Sequence, residues 1–206
     1  MSARLALNII HKDWLEYGKP IAFLTAGMFV PLIVSNKSSD FSKGMLAGIL
    51  ISASYSFAYS CFLSERQRGT LQLLLSLPLR PFELVLAKYA SLYSMALFTA
   101  NLPGVFLGDL LLLFFLNAFV LLFSTICMAG TVVSEKPWAP MVPLWILLVF
   151  FMPVQKILGR FHPGGLDLYN LTASHVTLVA ALAIGLAPVI AIASALWFER
   201  RLASLA

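Results

Sequence analysis

Residues 64–88 read SERQRGTLQLLLSLPLRPFELVLAK and join two apolar runs, 44–63 and 84–107. Gly69 allows a turn, and Thr70 is placed to N-cap a short helix over 71–77. Pro78 stops that helix, because a residue preceding proline avoids the helical region. Pro81 suits the first position of a new helix and Glu83 its first turn. That helix then runs past Lys88 into the second apolar run. The stretch therefore predicts a helix–break–helix excursion. Leu71, Leu74 and Leu75 share one face of its first helix and need somewhere to be buried.

Working outward, the chain holds six apolar runs, at approximately 20–36, 44–63, 84–107, 109–133, 137–155 and 176–198. A membrane-spanning helix needs about 20 mostly apolar residues. The first run is the weakest, since its apolar part ends at Val34 and Pro31 interrupts it. Little more than Gly108 and Asp109 separates the third and fourth, which predicts a tight helical hairpin. Period-2 alternation of the barrel kind is absent. Composition agrees: of 206 residues, 60% are hydrophobic and 11% charged, and the mean hydropathy is +0.90. A soluble domain carries about 25% charged residues. The expectation is an all-α integral membrane protein with six transmembrane helices, forming one domain over 1–206.

Basic residues set the orientation. With both termini on one side, that side holds Arg4, Lys12, Lys19, Arg66, Arg68, Arg80, Lys88, Lys136, Arg200 and Arg201, and the other holds Lys37, Lys43, Lys156 and Arg160. The excess places both termini and residues 64–88 in the cytoplasm, in a multi-pass protein of the cell membrane. The net charge of +5 reads as this topological bias, not as a nucleic-acid surface. The first nineteen positions include Arg4, Lys12, Asp13, Glu16 and Lys19, which does not suit a cleavable signal peptide.

Within residues 2–19, Ala3, Ala6, Leu7, Ile10, Trp14 and Tyr17 fall on one arc of a helical wheel. Arg4, Asn8, His11, Lys12 and Glu16 occupy the rest, interrupted by Leu5, Ile9 and Leu15. This reads as an amphipathic helix lying in the interface, anchored at headgroup depth by Trp14 and Tyr17.

In the second run Ser52, Tyr55, Ser56, Tyr59 and Ser60 follow i, i+3, i+4, i+7, i+8 spacing, so they share one helix side. Lipid disfavours such a face. It meets either another helix, through small residues and hydrogen bonds, or a watery cavity. In the fifth run Met141, Trp145, Leu148 and Met152 share a face that would supply the apolar part of such a pathway. Ala187, Ala191 and Ala195 in the last run read as helix packing.

No G-x-x-x-x-G-K-[ST] loop, H-E-x-x-H or G-x-S-x-G motif occurs. His11, His162 and His175 are scattered and lie outside the spans. Charges within the expected hydrocarbon are nearly missing, with Asp109 at the outer turn the closest case, so energy for any transport would arrive from elsewhere. Cys61 and Cys127 sit in apolar runs without a C-x-x-C pair, which suits small buried side chains. Asn36 and Asn170 begin N-x-[ST] tripeptides on the expected outer side, and these matter only in a glycosylating pathway.

The 64–88 stretch resembles the segment that follows the second span in ABC-2-type permeases, the membrane subunits of ATP-binding-cassette exporters. The residues that carry the resemblance are Glu65, Arg66, Arg68, Gly69, Thr70, Leu71, Leu74, Leu75, Ser76, Pro78 and Lys88, with Gln72 where the family usually has Glu. The layout is similar too. The resemblance implies that 2–19 is an elbow helix, that 64–80 is a coupling segment docking on an ATPase, and that 156–175 is an outer loop or short helix. Size and layout also resemble the heme-exporter permease of cytochrome c maturation.

The resemblance further implies two permease subunits, alike or different, around a central pathway. Two cytoplasmic ABC ATPase subunits would bind ATP and Mg beneath them. This chain would then bind no cofactor or metal itself and would have no catalytic residues. Its partners would be the ATPase, a second permease and membrane lipid, with no nucleic acid. Two other functions stand beside this one: a non-transporting scaffold or anchor for an ATPase complex, and an intramembrane enzyme, which would need a nucleophile–base pair that the sequence does not display.

Overall fold

The computed structural model describes residues 2–34, 40–107, 110–134, 136, 138–141, 145 and 173–204. Among these the chain is all-helical. Helix α1 (Ser2–Val34) runs unbroken through Pro20 and Pro31. The segments expected as a separate interfacial helix and a first span thus form one rod. A single packing row explains the continuity: Leu5, Ile9, Asp13, Tyr17, Ile21 and Thr25 recur every fourth residue and face the bundle on both sides of Pro20. Ile9, Asp13, Ile21 and Thr25 in that row are all buried.

This row also corrects the expected arc. Leu7, placed on the apolar arc, is 63% exposed, whereas Leu5 and Ile9, read as interruptions of the polar side, turn inward. The inward face is centred near Asp13, and a hydrophobicity-weighted wheel moves a face away from a carboxylate.

Helix α2 (Asp40–Ala58) passes into a π-helical turn, Tyr59–Ser64. Then come α3 (Glu65–Gln67), α4 (Thr70–Leu75), α5 (Pro81–Leu107) and α6 (Leu110–Val133). After a 3-10 turn at Ala139–Met141, the last helix is α7 (Ala173–Ala203), which contains Pro188. Helix α6 is central, packing on α7, α5 and α2, while α1 lies along α5. The α5–α6 contact is that of the expected hairpin, whose turn at 108–109 lies outside the described residues.

Two described stretches are long and apolar enough to cross a membrane, Leu113–Val133 and Ala180–Ala203, with mean hydropathy 2.1 and 2.2. Small side chains set how closely α7 approaches: Ala180, Ala183, Ala187, Ala191 and Ala195 are all buried, forming the small-residue seam that membrane helices use. On its other side Leu178, Leu182, Leu186, Val189 and Ile192 stand exposed, an apolar surface suited to lipid. Inside the bundle, hydroxyl and amide pairs tie helix to helix: Tyr89 to Ser194 at 2.7 Å, Tyr93 to Thr125 at 2.7 Å, and Asn117 Nδ2 donating to Asn101 Oδ1 at 2.8 Å. A Cβ at Gly130 would lie 2.6 Å from the Ala139 carbonyl oxygen, so only glycine lets the 3-10 turn seat on α6. The Arg201 guanidinium donates to the Val133 carbonyl at 3.3 Å and so caps α6.

Candidate functional site

The joint between α2 and α5 gathers the buried charge found among the described residues. Through the π-helical turn, Cys61, Phe62, Leu63 and Ser64 are buried, and Glu65 comes after them, also inward. A π-turn carries one residue more than the α-helix it replaces, which rotates the chain beyond it by about 100°. That rotation brings Glu65 to the bundle side. Lys88, two turns into α5, meets it there: Lys88 Nζ lies 2.8 Å from Glu65 Oε1 and 2.8 Å from Asp13 Oδ1 on α1. Lys88 and Asp13 are fully buried.

Lys12 donates to the same Glu65 oxygen and lies 3.6 Å from Glu16. Arg68 reaches Glu16 at 3.4 Å. Three acids (Asp13, Glu16, Glu65) thus face three bases (Lys12, Arg68, Lys88), and the cluster is neutral in total. The Tyr17 hydroxyl adds a bond to the Ser60 carbonyl in the π-turn at 2.9 Å. So α1 holds the joint at several points along two turns.

Burial pushes the Asp13 carboxyl above its usual 3.8, against the pull of the Lys88 charge and its hydrogen bond. For Lys12, burial works to lower the value, but the hydrogen bond to Glu65 and the charges of Glu65, Asp13 and Glu16 outweigh it. The ammonium ends above 10.5. Burial likewise raises Tyr17, so its phenol stays a donor.

Beyond Glu65 the chain turns at Gly69, whose φ of 75° is open to glycine without penalty. Gly69, not Thr70, takes the N-cap place of α4. The Thr70 hydroxyl instead donates back to the Glu65 carbonyl at 3.1 Å, bracing the turn. Helix α4 ends two residues before the expected 77, ahead of Pro78, which is exposed in the bend. Pro81 opens α5, and Glu83 Oε2 accepts from the Arg80 amide at 3.2 Å, half of a capping box.

The leucines of α4 divide differently from expectation. Leu71 is 5% exposed and belongs to the chain's own core, with Leu74 and Leu75 packed partly against it. Leu71 therefore offers nothing to a partner, because the chain's own core already buries it. Leu73, absent from the expected set, is 70% exposed. Beside it a cleft of about 230 Å³ is lined by Lys12, Glu16, Glu65, Arg68, Thr70, Leu73 and Leu74. Arg66 is half-buried, and Arg68 and Gly69 are exposed.

The Ser/Tyr face of α2 points out of the single chain. Ser52 and Ser56 are exposed, while Tyr55, Tyr59 and Ser60 are half-buried. The Ser52 hydroxyl donates to the Gly48 carbonyl at 2.9 Å, and the Tyr59 hydroxyl to Gln67 Oε1 at 2.9 Å. Tyr55 and Tyr59 lie with ring centres 6.3 Å apart. Met141 and Trp145 are exposed; Met152, Leu148 and the 156–172 part of the outer segment lie outside the described residues. Trp14 and Tyr17, expected as headgroup anchors, are engaged within the bundle. The Trp14 indole donates to Ser94 Oγ at 2.8 Å and stands edge-on to Phe98.

Asp13, Lys12, Glu16 and Leu73 were not singled out from the sequence. The signal for Asp13 was a charge standing in the i, i+4 row of Leu5, Ile9, Tyr17 and Ile21. Among the described residues, no group of three His, Cys, Asp or Glu is placed to hold a metal ion. No known protein family, curated protein or solved structure matches the chain.

Proposed function

We propose that this chain is the membrane permease subunit of an ABC-2-type exporter, driven by ATP hydrolysis on a separate cytoplasmic ATPase. The observation that carries the reading is the excursion between α2 and α5. Here a short helix is set off by Gly69 and Pro78, braced from behind by a buried charge cluster, and presents Leu73 outward beside a charged cleft. A leucine in water is poorly placed, and burying one is worth roughly 1.5–3 kcal/mol. An ATPase groove would realise that gain, with Arg68 at its rim.

In this reading the protein crosses the cell membrane six times with both termini in the cytoplasm. The first half of α1 is the elbow, leaning on α5 through Trp14. Two copies of the ATPase, carrying ATP and Mg, bind below a pair of permeases. The Ser/Tyr face of α2 supports the pairing, because it is turned away from the chain's own core and would line the pathway between the two subunits with Met141 and Trp145. A hydroxyl, aromatic and methionine lining suits an amphipathic or apolar cargo.

The test is co-expression with a candidate ABC ATPase, one encoded in a neighbouring gene if there is one, followed by ATP-dependent solute movement in inverted membrane vesicles. Stable association with movement supports the permease. Stable association without movement of any amphipathic cargo supports a scaffold for the ATPase and counts against the transport reading.

A further inference from the structure

We propose that the Asp13–Lys88–Glu65 cluster is a latch, a two-position contact that holds the end of α2 closed against α1 and α5 and sets when the 64–80 segment moves. Its role in gating that segment rests on the permease reading; its existence as a latch does not. Three features of the geometry point to it.

First, the cluster joins three separate elements through one side chain. Lys88 Nζ bonds Asp13 on α1 and Glu65 at the start of α3, both at 2.8 Å, and is itself completely buried. Any outward swing of α3 and α4 must part Lys88 from Glu65. Second, the closed contact leaves capacity unused. Glu65 Oε2 is buried without a hydrogen-bond partner, while Lys12 and Lys88 crowd onto the single oxygen Glu65 Oε1. Lys12, 44% exposed, already donates to Glu65, so when α3 swings Glu65 can keep Lys12 while Lys88 keeps Asp13, and each buried charge retains a partner in a second arrangement. Such paired arrangements are what let a packed joint switch rather than deform.

Third, the hinge is present in the backbone. The π-helical turn Tyr59–Ser64 is the register that turns Glu65 inward, and α1 stabilises it through the Tyr17 hydroxyl on the Ser60 carbonyl. Single π-turns are rare and gather at functional positions. Returning this turn to α-geometry would carry Glu65 away from Lys88, so latch and hinge are one mechanical unit.

Cys61, buried in the π-turn, reports on it. In a Cys127→Ala background, with the chain alone in native membranes, the rate of Cys61 modification by N-ethylmaleimide measures opening. Asp13→Asn keeps the shape and removes the charge; it should raise that rate at least tenfold, as should Tyr17→Phe by a smaller factor. Lys88→Arg should stay within threefold of the parent, since it keeps the charge. Unchanged labelling in both Asp13→Asn and Tyr17→Phe, with each protein inserted and melting as one species, overturns the latch. Because no ATPase is present, that outcome leaves the permease reading untouched, and failure to bind an ATPase leaves the labelling result standing.

Discussion

Lys88 donates to Asp13 across 2.8 Å, with both side chains sealed from solvent and a sequence separation of 75. An isolated ammonium in such a place would be untenable. Its two carboxylate partners, Asp13 and Glu65, come from elements far apart in the chain. The contact therefore fixes the N-terminal helix, the end of α2 and the start of α5 relative to one another.

Removing one member should be far worse than removing all. Lys88→Met leaves Asp13 buried without its bonded cation and Glu65 with Lys12 alone, and should cost about 3–5 kcal/mol. The triple change Asp13→Leu, Glu65→Leu and Lys88→Met should recover most of the loss, because apolar replacement of a whole buried cluster is often close to neutral. Thermal melts in detergent read both. A Lys88→Met protein that melts with the parent would show that the pairs contribute nothing.

Gly69 isolates a backbone effect. A Cβ there meets no atom within 4 Å, so Gly69→Ala acts only through its φ of 75°. The left-handed conformation should cost about 1–2 kcal/mol, and Gly69→Asn should cost less. The same melts decide between this and a turn that relaxes freely.

Lys12 gives a pH signature. Its folded value lies above 10.5, so the folded chain holds the proton more tightly than the unfolded one. The stabilisation is complete below about 10.5 and is lost as pH rises through the higher folded value. Melting temperature should fall over that alkaline window, and Lys12→Met should flatten the fall. An unaltered slope in the variant would place the alkaline loss elsewhere.

The proposed topology rests on the excess of basic residues on one side. In a background lacking Cys61 and Cys127, an impermeant thiol reagent applied to intact cells should label Ser38→Cys and Gly164→Cys and spare Gln67→Cys. The reverse pattern would end the six-span arrangement.

The break at Gly69, the stop before Pro78 and the restart at Pro81 were readable because each rests on a local backbone rule, and α5 begins where Pro81 says. The small-residue seam of α7 was readable for the same kind of reason, since Ala187, Ala191 and Ala195 repeat at helical spacing. The face of α1 was not. Its inward row contains Asp13, and only Lys88, far along the chain, makes a buried carboxylate reasonable there. The fate of Leu71 was equally hidden, because nothing local says that α4 turns its first leucine into the chain's own core. Nor does anything local say that two lysines, Lys12 and Lys88, would share one oxygen of Glu65.

The most direct test of the coupling claim is a single charge at Leu73. Aspartate at Leu71 would disturb the chain's own core, whereas Leu73 is 70% exposed, so Leu73→Asp should leave folding and membrane insertion intact. Purified through a tag on this chain with a co-expressed ATPase, the Leu73→Asp protein should lose most of the ATPase, at least tenfold relative to the parent, if the proposed permease reading holds. It should also melt within a degree or so of the parent, as an exposed substitution does. Retention of the ATPase at parental stoichiometry with full ATP hydrolysis would contradict docking through this segment and, with it, the permease assignment.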